Sequence, residues 1–367
     1  MIPREVFEET LLHFFEPIRP LLEDPTVSDI MINGHAEVFI ERAGQLHRTD
    51  CSFPSKEALE AALRNCAQFV GKHVDDHNPI LEGRLPDGSR LEAIFPPASP
   101  DGPHVSIRRF SKDALTVAKL VDFGALTPEC SQALDAFVKA KLNIIVAGGT
   151  GSGKTTALNA LSGFAYEGDR VVVIEDSREL QLQKPHVVHL EARPPDPKGR
   201  GEVTIRDLFK ATLRMRPDRI VVGEIRSGEA LDLIQAMTSG HGGCLTTVHA
   251  TYPRDTLTRL ETMAMMSDLD MPLVPLRVQI GSGVNLLVQV SRLQDGSRVF
   301  THVTEVLGYD VSSERYVLQD LFERKYEGVG PEGNVRSKLV ATGTTPQCMA
   351  QLQAHGVELP ASMFGNA

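Results

Sequence analysis

Residues 148–155 have the types and the spacing of a loop that binds phosphate. The pattern G-x-x-x-x-G-K-[ST] is filled by Gly148, Gly149, Thr150, Gly151, Ser152, Gly153, Lys154 and Thr155, and Thr156 follows. Such glycines let the backbone turn its N–H groups toward phosphate, the lysine reaches the β- and γ-phosphates, and the hydroxyl binds Mg²⁺. The sequence therefore predicts a site for ATP and Mg²⁺, with Lys154 on the phosphates and Thr155 on the metal.

Carboxylates follow two apolar segments further along the chain. "VVVIEDSREL" offers Glu175, Asp176 and Glu179, and "IVVGEIR" offers Glu224. Both segments read as strands of a parallel sheet, whose carboxyl ends lie at the same edge as a phosphate loop. Hydrolysis needs a group that orients water and a carboxylate near the metal, so these residues are candidates for both tasks. The alternative is that each carboxylate only begins the helix that follows its strand.

Two histidines, His241 and His249, lie in "TSGHGGCLTTVHA". The neighbouring glycines permit a tight turn, and a histidine can donate a hydrogen bond to a phosphoryl oxygen. A second interpretation has His241, Cys244 and His249 bind zinc, although a zinc site needs further ligands. A third has both histidines packed in the core.

The composition favours an enzyme core over a nucleic-acid binder. The chain has 367 residues, a formal net charge of -10, only 5% aromatic residues and no tryptophan. Proteins that bind nucleic acid usually carry a basic face or a stacking platform. Five cysteines without a CxxC pair indicate free thiols in a reducing compartment. We find no apolar run of about 18 residues and no secretory signal, and therefore expect a cytoplasmic protein without direct membrane insertion.

The elements that must position these residues fall into several regions. Residues 1–112 alternate helix and strand signals and predict a compact N-terminal α+β domain, followed by a linker over 113–126. Residues 127–310 alternate strands with helices, which is typical of an α/β domain with a parallel sheet covered on both faces. Residues 311–367 are expected to form a C-terminal segment that packs on this core.

The motifs and their order resemble those of the secretion-superfamily ATPases, which power type II secretion, type IV pili and conjugative type IV secretion. "GGTGSGKTT", "IEDSREL", "MRPDRIVVGEIRSGEA" and "TSGHGGCLTTVHAT" occur in the family's order. "MINGHAEVFIERAGQL", "GRLPDGSRLEAIFPP" and "GPHVSIRRFS" resemble the CpaF branch, which assembles Tad/Flp pili. The type II and pilus-extension branches typically carry a four-cysteine zinc module, and this chain has no such spacing, which favours the CpaF-like or conjugative branches.

The resemblance implies a fold, an assembly and a load. The expected fold is a RecA-like P-loop core with a smaller N-terminal domain and nucleotide between them, in a homo-hexamer. The ring would act peripherally at the inner membrane on a platform protein of a Tad-like pilus or secretion system. A conjugative ATPase is the alternative; less favoured are a nucleic-acid translocase and an adaptor that binds ATP but scarcely hydrolyses it.

The resemblance also implies roles for individual residues. Glu179 would position or deprotonate the attacking water, and Glu224 would act at the metal or share that role. His249 would approach the γ-phosphate, and His241 would support the same edge of the site. The N-terminal domain would send arginines to the phosphates, and the matching residues are Arg90 and Arg108, with Arg84 and Arg109 as weaker candidates.

One stretch departs from the family pattern. "LRVQIGSGVNLLVQVSR" carries Gly281 and Gly283 where the family has a more helical sequence. Each glycine costs a helix up to about 1 kcal/mol relative to alanine. We therefore expect a weakened helix there.

Overall fold

The computed structural model describes residues 4–110, 115–196, 199–269, 271–331 and 333–365. The chain divides into two compact units, Met1–Asp113 and Ala114–Ala367. Across the described residues, every helix falls short of the length and apolar character that a membrane span requires.

The first unit is an antiparallel sheet with helices. In chain order its elements are α1 (Arg4–Phe14), α2 (Arg19–Glu23), β1 (Val27–Asn33), β2 (Glu37–Arg42), β3 (Gln45–Arg48), α3 (Lys56–Phe69), β4 (Ile80–Arg84), β5 (Arg90–Ile94) and β6 (His104–Arg108). The strand order across the sheet is β3-β2-β1-β6-β5-β4. The helices bury Leu11, Leu59 and Leu63 against Ile30 and Ile32 of β1, so this unit has its own core.

Local sequence chemistry sets the ends of several elements in this unit. Ser55 caps α3 by accepting a hydrogen bond from the N–H of Ala58. The turn between β2 and β3 is made by Ala43 and Gly44, both with positive φ (49° and 79°). A two-residue turn of this kind matches the twist of the paired strands.

The second unit contains a nine-stranded sheet. Its elements are α4 (Val117–Asp122), α5 (Pro128–Lys139), β7 (Ile144–Gly148), α6 (Lys154–Ser162), β8 (Val171–Glu175), β9 (Val187–Glu191), α7 (Ile205–Thr212), β10 (Arg219–Val222), α8 (Glu229–Thr238), β11 (Leu245–His249), α9 (Pro253–Ala264), α10 (Leu273–Gly283), β12 (Leu286–Arg292), β13 (Arg298–Asp310), β14 (Arg315–Val329), β15 (Val335–Ala341) and α11 (Met349–Ala354). The strand order is β15-β14-β13-β12-β7-β11-β10-β8-β9. The neighbouring strands β12, β7, β11, β10, β8 and β9 are parallel to one another. On the other side of β12, the strands β13, β14 and β15 are added by antiparallel pairing.

Apolar side chains cover both faces of this sheet. One core contains Phe137 and Leu158 from α5 and α6, and the other contains Phe209, Leu233 and Leu257 from α7, α8 and α9. A sheet buried on both faces explains the continuous apolar strands, because no residue of β7 or β8 faces solvent. The predicted α/β core and the smaller α+β unit are confirmed.

The regions at the predicted domain boundaries have secondary structure of their own. The expected linker over 113–126 includes α4, and residues 113 and 114 lie outside the described residues. The expected boundary at 310 falls in the turn between β13 and β14, which pair with each other. The C-terminal segment therefore extends the core sheet through β14 and β15.

The glycines of α10 have a packing reason. A Cβ on Gly281 would lie 2.7 Å from the backbone N of Tyr309, and one on Gly283 would lie 3.1 Å from Cγ2 of Thr238. Alanine would fit neither position without a shift of its neighbour. The helix forms despite its glycines, and they allow it to contact β13 and α8 closely.

Candidate nucleotide site

The glycine-rich loop joins the carboxyl end of β7 to the start of α6. Gly151 and Gly153 have φ values of 68° and 89°, in the left-handed region that favours glycine. A Cβ on Gly148 would lie 2.5 Å from the carbonyl oxygen of Val290. The backbone path of this loop therefore requires the glycines at these positions.

Three donors of the loop converge on the carbonyl oxygen of Gly149. They are the hydroxyl of Ser152 at 2.8 Å, the ammonium of Lys154 at 3.1 Å and the backbone N–H of Ser152 at 3.4 Å. Helix α6 begins at Lys154, and no side chain caps its N-terminus. Its first N–H groups and the positive end of its dipole lie at the loop, which is the arrangement that binds phosphate. The residues present thus fit a nucleotide phosphate, with the partly buried hydroxyls of Thr155 and Thr156 in the first turn.

Glu175, at the end of β8, shapes the acidic segment that follows it. Its buried carboxylate accepts hydrogen bonds from the N–H groups of Glu179 and Leu180, both at 2.9 Å. Burial raises the pKa of Glu175 above its ordinary value, and the two hydrogen bonds offset only part of that rise. Glu175 is therefore a structural residue that fixes the backbone of Glu179, whose side chain is partly exposed.

Glu224 follows β10, and its neighbours tie it to the strands on either side. The hydroxyl of Thr247 on β11 donates to the carbonyl of Gly223 at 2.7 Å. A Cβ on Gly223 would lie 3.0 Å from Cγ of Glu175. The glycine before Glu224 thus lets the ends of β8 and β10 approach closely.

Arg226 contacts carboxylates of both acidic segments, the one after β8 and the one after β10. The sequence did not identify this residue as part of the site. Its Nε donates to Glu224 at 2.7 Å, and its Nη1 donates to Asp176 at 3.1 Å. Burial lowers the pKa of this guanidinium, but the hydrogen bond with Glu224 and the charges of Glu224, Asp176 and Glu179 together raise it above its ordinary value. The signal in the sequence is an arginine two residues after Glu224 in "GEIR".

The structure separates the two histidines. His249 ends β11 and pairs in register with Gly148, beside the start of the phosphate loop. His241 precedes β11, at the amino edge of the sheet, where its N–H donates to the carbonyl of Ala236. Five residues form β11, so its ends are roughly 13 Å apart at about 3.3 Å per residue. The prediction that His241 supports the phosphate edge is therefore wrong, because a strand cannot bring both of its ends to one edge.

The zinc interpretation fails for the same reason. His241 and His249 lie at opposite ends of one strand, and the described residues contain no cluster of ligands able to hold a metal ion. Cys244 is buried, its Sγ contacts the carbonyl of His241 at 3.1 Å, and burial raises its pKa to about 12.

Three of the candidate arginines of the first unit lie in a row. Arg90 on β5 is in register with Arg84 on β4 and with Arg108 on β6, and residues directly opposite in antiparallel strands share a face of the sheet. Arg108 also donates to Asp29 at 3.0 Å. Arg109 differs, because its guanidinium donates to the backbone carbonyls of Leu21 and Asp24. Arg84 therefore belongs with Arg90 and Arg108, whereas Arg109 holds the chain after α2.

Comparison with known proteins agrees with this geometry. Residues 13–317 match the family model described as type II/IV secretion system protein. The chain is 35% identical to a putative conjugal transfer protein of Mycobacterium tuberculosis over 287 residues, which cover 77% of this chain and 81% of that protein. It is 34% identical to the conjugal transfer protein TrbB of Rhizobium radiobacter over 293 residues, covering 78% and 86%.

A solved structure supports the fold. The X-ray structure of the Legionella pneumophila ATPase DotB matches with a TM-score of 0.55 at 21% identity, covering 78% of this chain and 79% of that one. This likeness confirms the expected RecA-like core with a smaller N-terminal domain. Both named relatives are conjugal transfer proteins, so the finer resemblance to the CpaF branch stays a prediction. The chain belongs to the family of type II/IV secretion system proteins.

Proposed function

We propose that this protein hydrolyses ATP and uses the cycle to drive a secretion or pilus machine. The observation that carries the proposal is the edge of the core sheet where β7, β11, β10 and β8 end. The phosphate loop follows β7, Glu224 follows β10 and the Glu179 segment follows β8. His249 is the last residue of β11. Hydrolysis requires mainly positioning and charge stabilisation, and this edge carries the residue types for both tasks.

Each side chain at this edge has a proposed task. Lys154 binds the β- and γ-phosphates through its ammonium. Thr155 and Glu224 would hold Mg²⁺, which would offset the charge of the phosphate oxygens. Glu179 orients or deprotonates the attacking water, and His249 donates to a γ-phosphoryl oxygen.

We extend the proposal to the arginine row of the first unit. Arg84, Arg90 and Arg108 place three cationic side chains at register-paired positions of neighbouring strands, a set that suits an anionic ligand. A guanidinium stabilises the charge that develops on a transferred phosphoryl group. We propose this task for Arg90 and Arg108. Arg84, the register partner of Arg90, is a further candidate for it.

The machine that this protein would drive is inferred from its family, and it remains our proposal. The chain would act as a cytoplasmic homo-hexamer that passes its motion to a platform protein at the inner membrane, in a Tad/Flp-type pilus or a related secretion system. A conjugative transfer channel is the second candidate, and the names of the relatives from Mycobacterium tuberculosis and Rhizobium radiobacter favour it.

The experiment that tests the proposed chemistry is phosphate release from Mg-ATP by the purified full chain. We expect Lys154→Ala to abolish release, because the loop loses the charge that binds the phosphates. Lys338→Ala is the matched control, since Lys338 is exposed on β15, far from the loop in the strand order. Equal rates for Lys154→Ala and the wild type would contradict the proposal.

A further inference from the structure

The hairpin of β12 and β13 brings two arginines to the phosphate loop. Arg292 ends β12, Arg298 begins β13, and the two are register partners. The Nε of Arg298 donates to the carbonyl oxygen of Gly151 at 2.8 Å. A Cβ on Gly151 would lie 3.4 Å from Nη1 of Arg292. Both exposed side chains therefore reach the loop from a region that none of the sequence motifs covers.

The contact of Arg298 orients a peptide group of the loop. In a trans peptide, the carbonyl and the following N–H point in opposite directions. Because Arg298 holds the carbonyl of Gly151 on one side, the N–H of Ser152 is directed to the other side, 3.4 Å from the carbonyl oxygen of Gly149. The ammonium of Lys154 lies at that same carbonyl. The donors that would bind phosphate thus lie opposite the arginine.

Glycine gives this loop its path but also its freedom. Gly151 and Gly153 adopt left-handed conformations, and glycine loses more conformational freedom on ordering than any other residue. A side chain that holds the loop before the ligand arrives lowers the ordering cost of binding. Arg298 is suited to that task, since a guanidinium forms a strong, directed hydrogen bond with a carbonyl.

We propose that Arg298 is a positioning residue of the nucleotide site and that Arg292 adds a second cation at the loop. The ligand is the diphosphate portion that ADP and ATP share, because the contact is made to the middle of the loop. This inference rests on the proposed function and specifies how its phosphate site is held. It predicts an effect on affinity for the nucleotide and little effect on the chemical step.

The test is the affinity of the full chain for a fluorescent ADP analogue. We expect Arg298→Met to raise Kd about tenfold and Arg292→Met to raise it less. Arg298→Lys should restore part of the affinity, because an ammonium also donates to a carbonyl. Arg315→Met is the matched control, since Arg315 is an exposed arginine at the start of the next strand, β14. With ATP, Arg298→Met should raise KM and leave kcat near the wild-type value, a split that a general loss of folded protein does not produce.

The outcomes separate this inference from the function on which it rests. If Lys154→Ala loses ADP binding while Arg298→Met binds as tightly as Arg315→Met, the inference is wrong and the proposed function stands. If the wild type itself binds neither ADP nor ATP, the proposed function fails. Should Arg298→Met lower the melting temperature of the nucleotide-free protein, Arg298→Lys decides: an affinity for ADP above that of Arg298→Met supports the inference, and an affinity no better than that of Arg298→Met contradicts it.

Discussion

At the scale of single residues, Arg226 connects the segments that follow β8 and β10. It contacts Asp176 and Glu224, and the N–H of Arg226 donates to the carboxylate of Glu229 at 2.7 Å. Glu229 thus fixes the backbone of Arg226, whereas Glu224 and Asp176 fix its guanidinium. Such a residue orients the carboxylate of Glu224.

We therefore predict that Arg226→Gln lowers kcat for ATP hydrolysis about tenfold, because Glu224 loses a charged hydrogen-bond partner worth about 1.5 kcal/mol. The nucleotide Kd should change little, since the phosphate loop is untouched. Arg206→Gln is the control: Arg206 pairs with Asp232 and Asp268, neither of which is assigned to the site. A normal kcat for Arg226→Gln would show that Glu224 needs no such partner.

A second prediction at this scale concerns pH and Glu175. The pKa of this buried carboxyl lies above its ordinary value of 4.5, so ionisation costs the folded state free energy at neutral pH. That cost is absent below the ordinary pKa of 4.5, grows as pH rises from 4.5 to the folded pKa, and is constant above the folded pKa. Glu175→Gln, which keeps an oxygen acceptor without the charge, should unfold with a higher free energy than the wild type at pH 7, and the gap should shrink as pH falls toward 4.5. Urea unfolding across this range tests the sign; a gap that widens at lower pH would contradict it.

At the scale of elements, α10 shows packing overriding helix propensity. Alanine favours a helix over glycine by about 1 kcal/mol. At Gly281, however, the added methyl would lie 2.7 Å from backbone of β13. Overpacking of this kind usually costs about 1–3 kcal/mol.

We predict that Gly281→Ala lowers the free energy of unfolding by about 1–2 kcal/mol despite the better helix former. Gly168→Ala is the matched control, because a Cβ there meets nothing within 4 Å and the φ of Gly168 lies outside the left-handed region. It should be neutral or slightly stabilising. Chemical denaturation of both variants measures the difference, and a stabilised Gly281→Ala would show that α10 can move away from β13.

The same scale explains which features could be predicted. The Ser55 cap, the turn at Ala43 and the order of strand, loop and helix at Lys154 depend on neighbours in sequence, and local patterns identify them. The contact of Arg298 with Gly151 joins residues 147 positions apart, and no local pattern contains it. The wrong prediction for His241 has a related cause. The eight-residue interval between the two histidines contains β11, which places them at opposite edges of the sheet.

At the scale of the whole molecule, the proposed motor acts on a partner at the membrane. We predict that tagged Glu224→Gln, held with Mg-ATP, retains an inner-membrane platform protein from native membranes, because the variant should bind ATP and hydrolyse it poorly. Lys154→Ala is the control and should retain less. Recovery of Tad-type platform proteins supports the pilus assignment, and recovery of conjugation-channel components supports the second candidate. Recovery of DNA-handling proteins alone would contradict both loads.

The central claim is that Glu224 and the phosphate loop form one hydrolytic site. The most direct measurement is the identity of the nucleotide bound to the purified full chain after incubation with Mg-ATP, by chromatography of the released ligand. The account predicts ADP from the wild type, ATP from Glu224→Gln and little nucleotide from Lys154→Ala. ADP from Glu224→Gln in wild-type amounts would contradict it, because hydrolysis would then proceed without the carboxylate assigned to it.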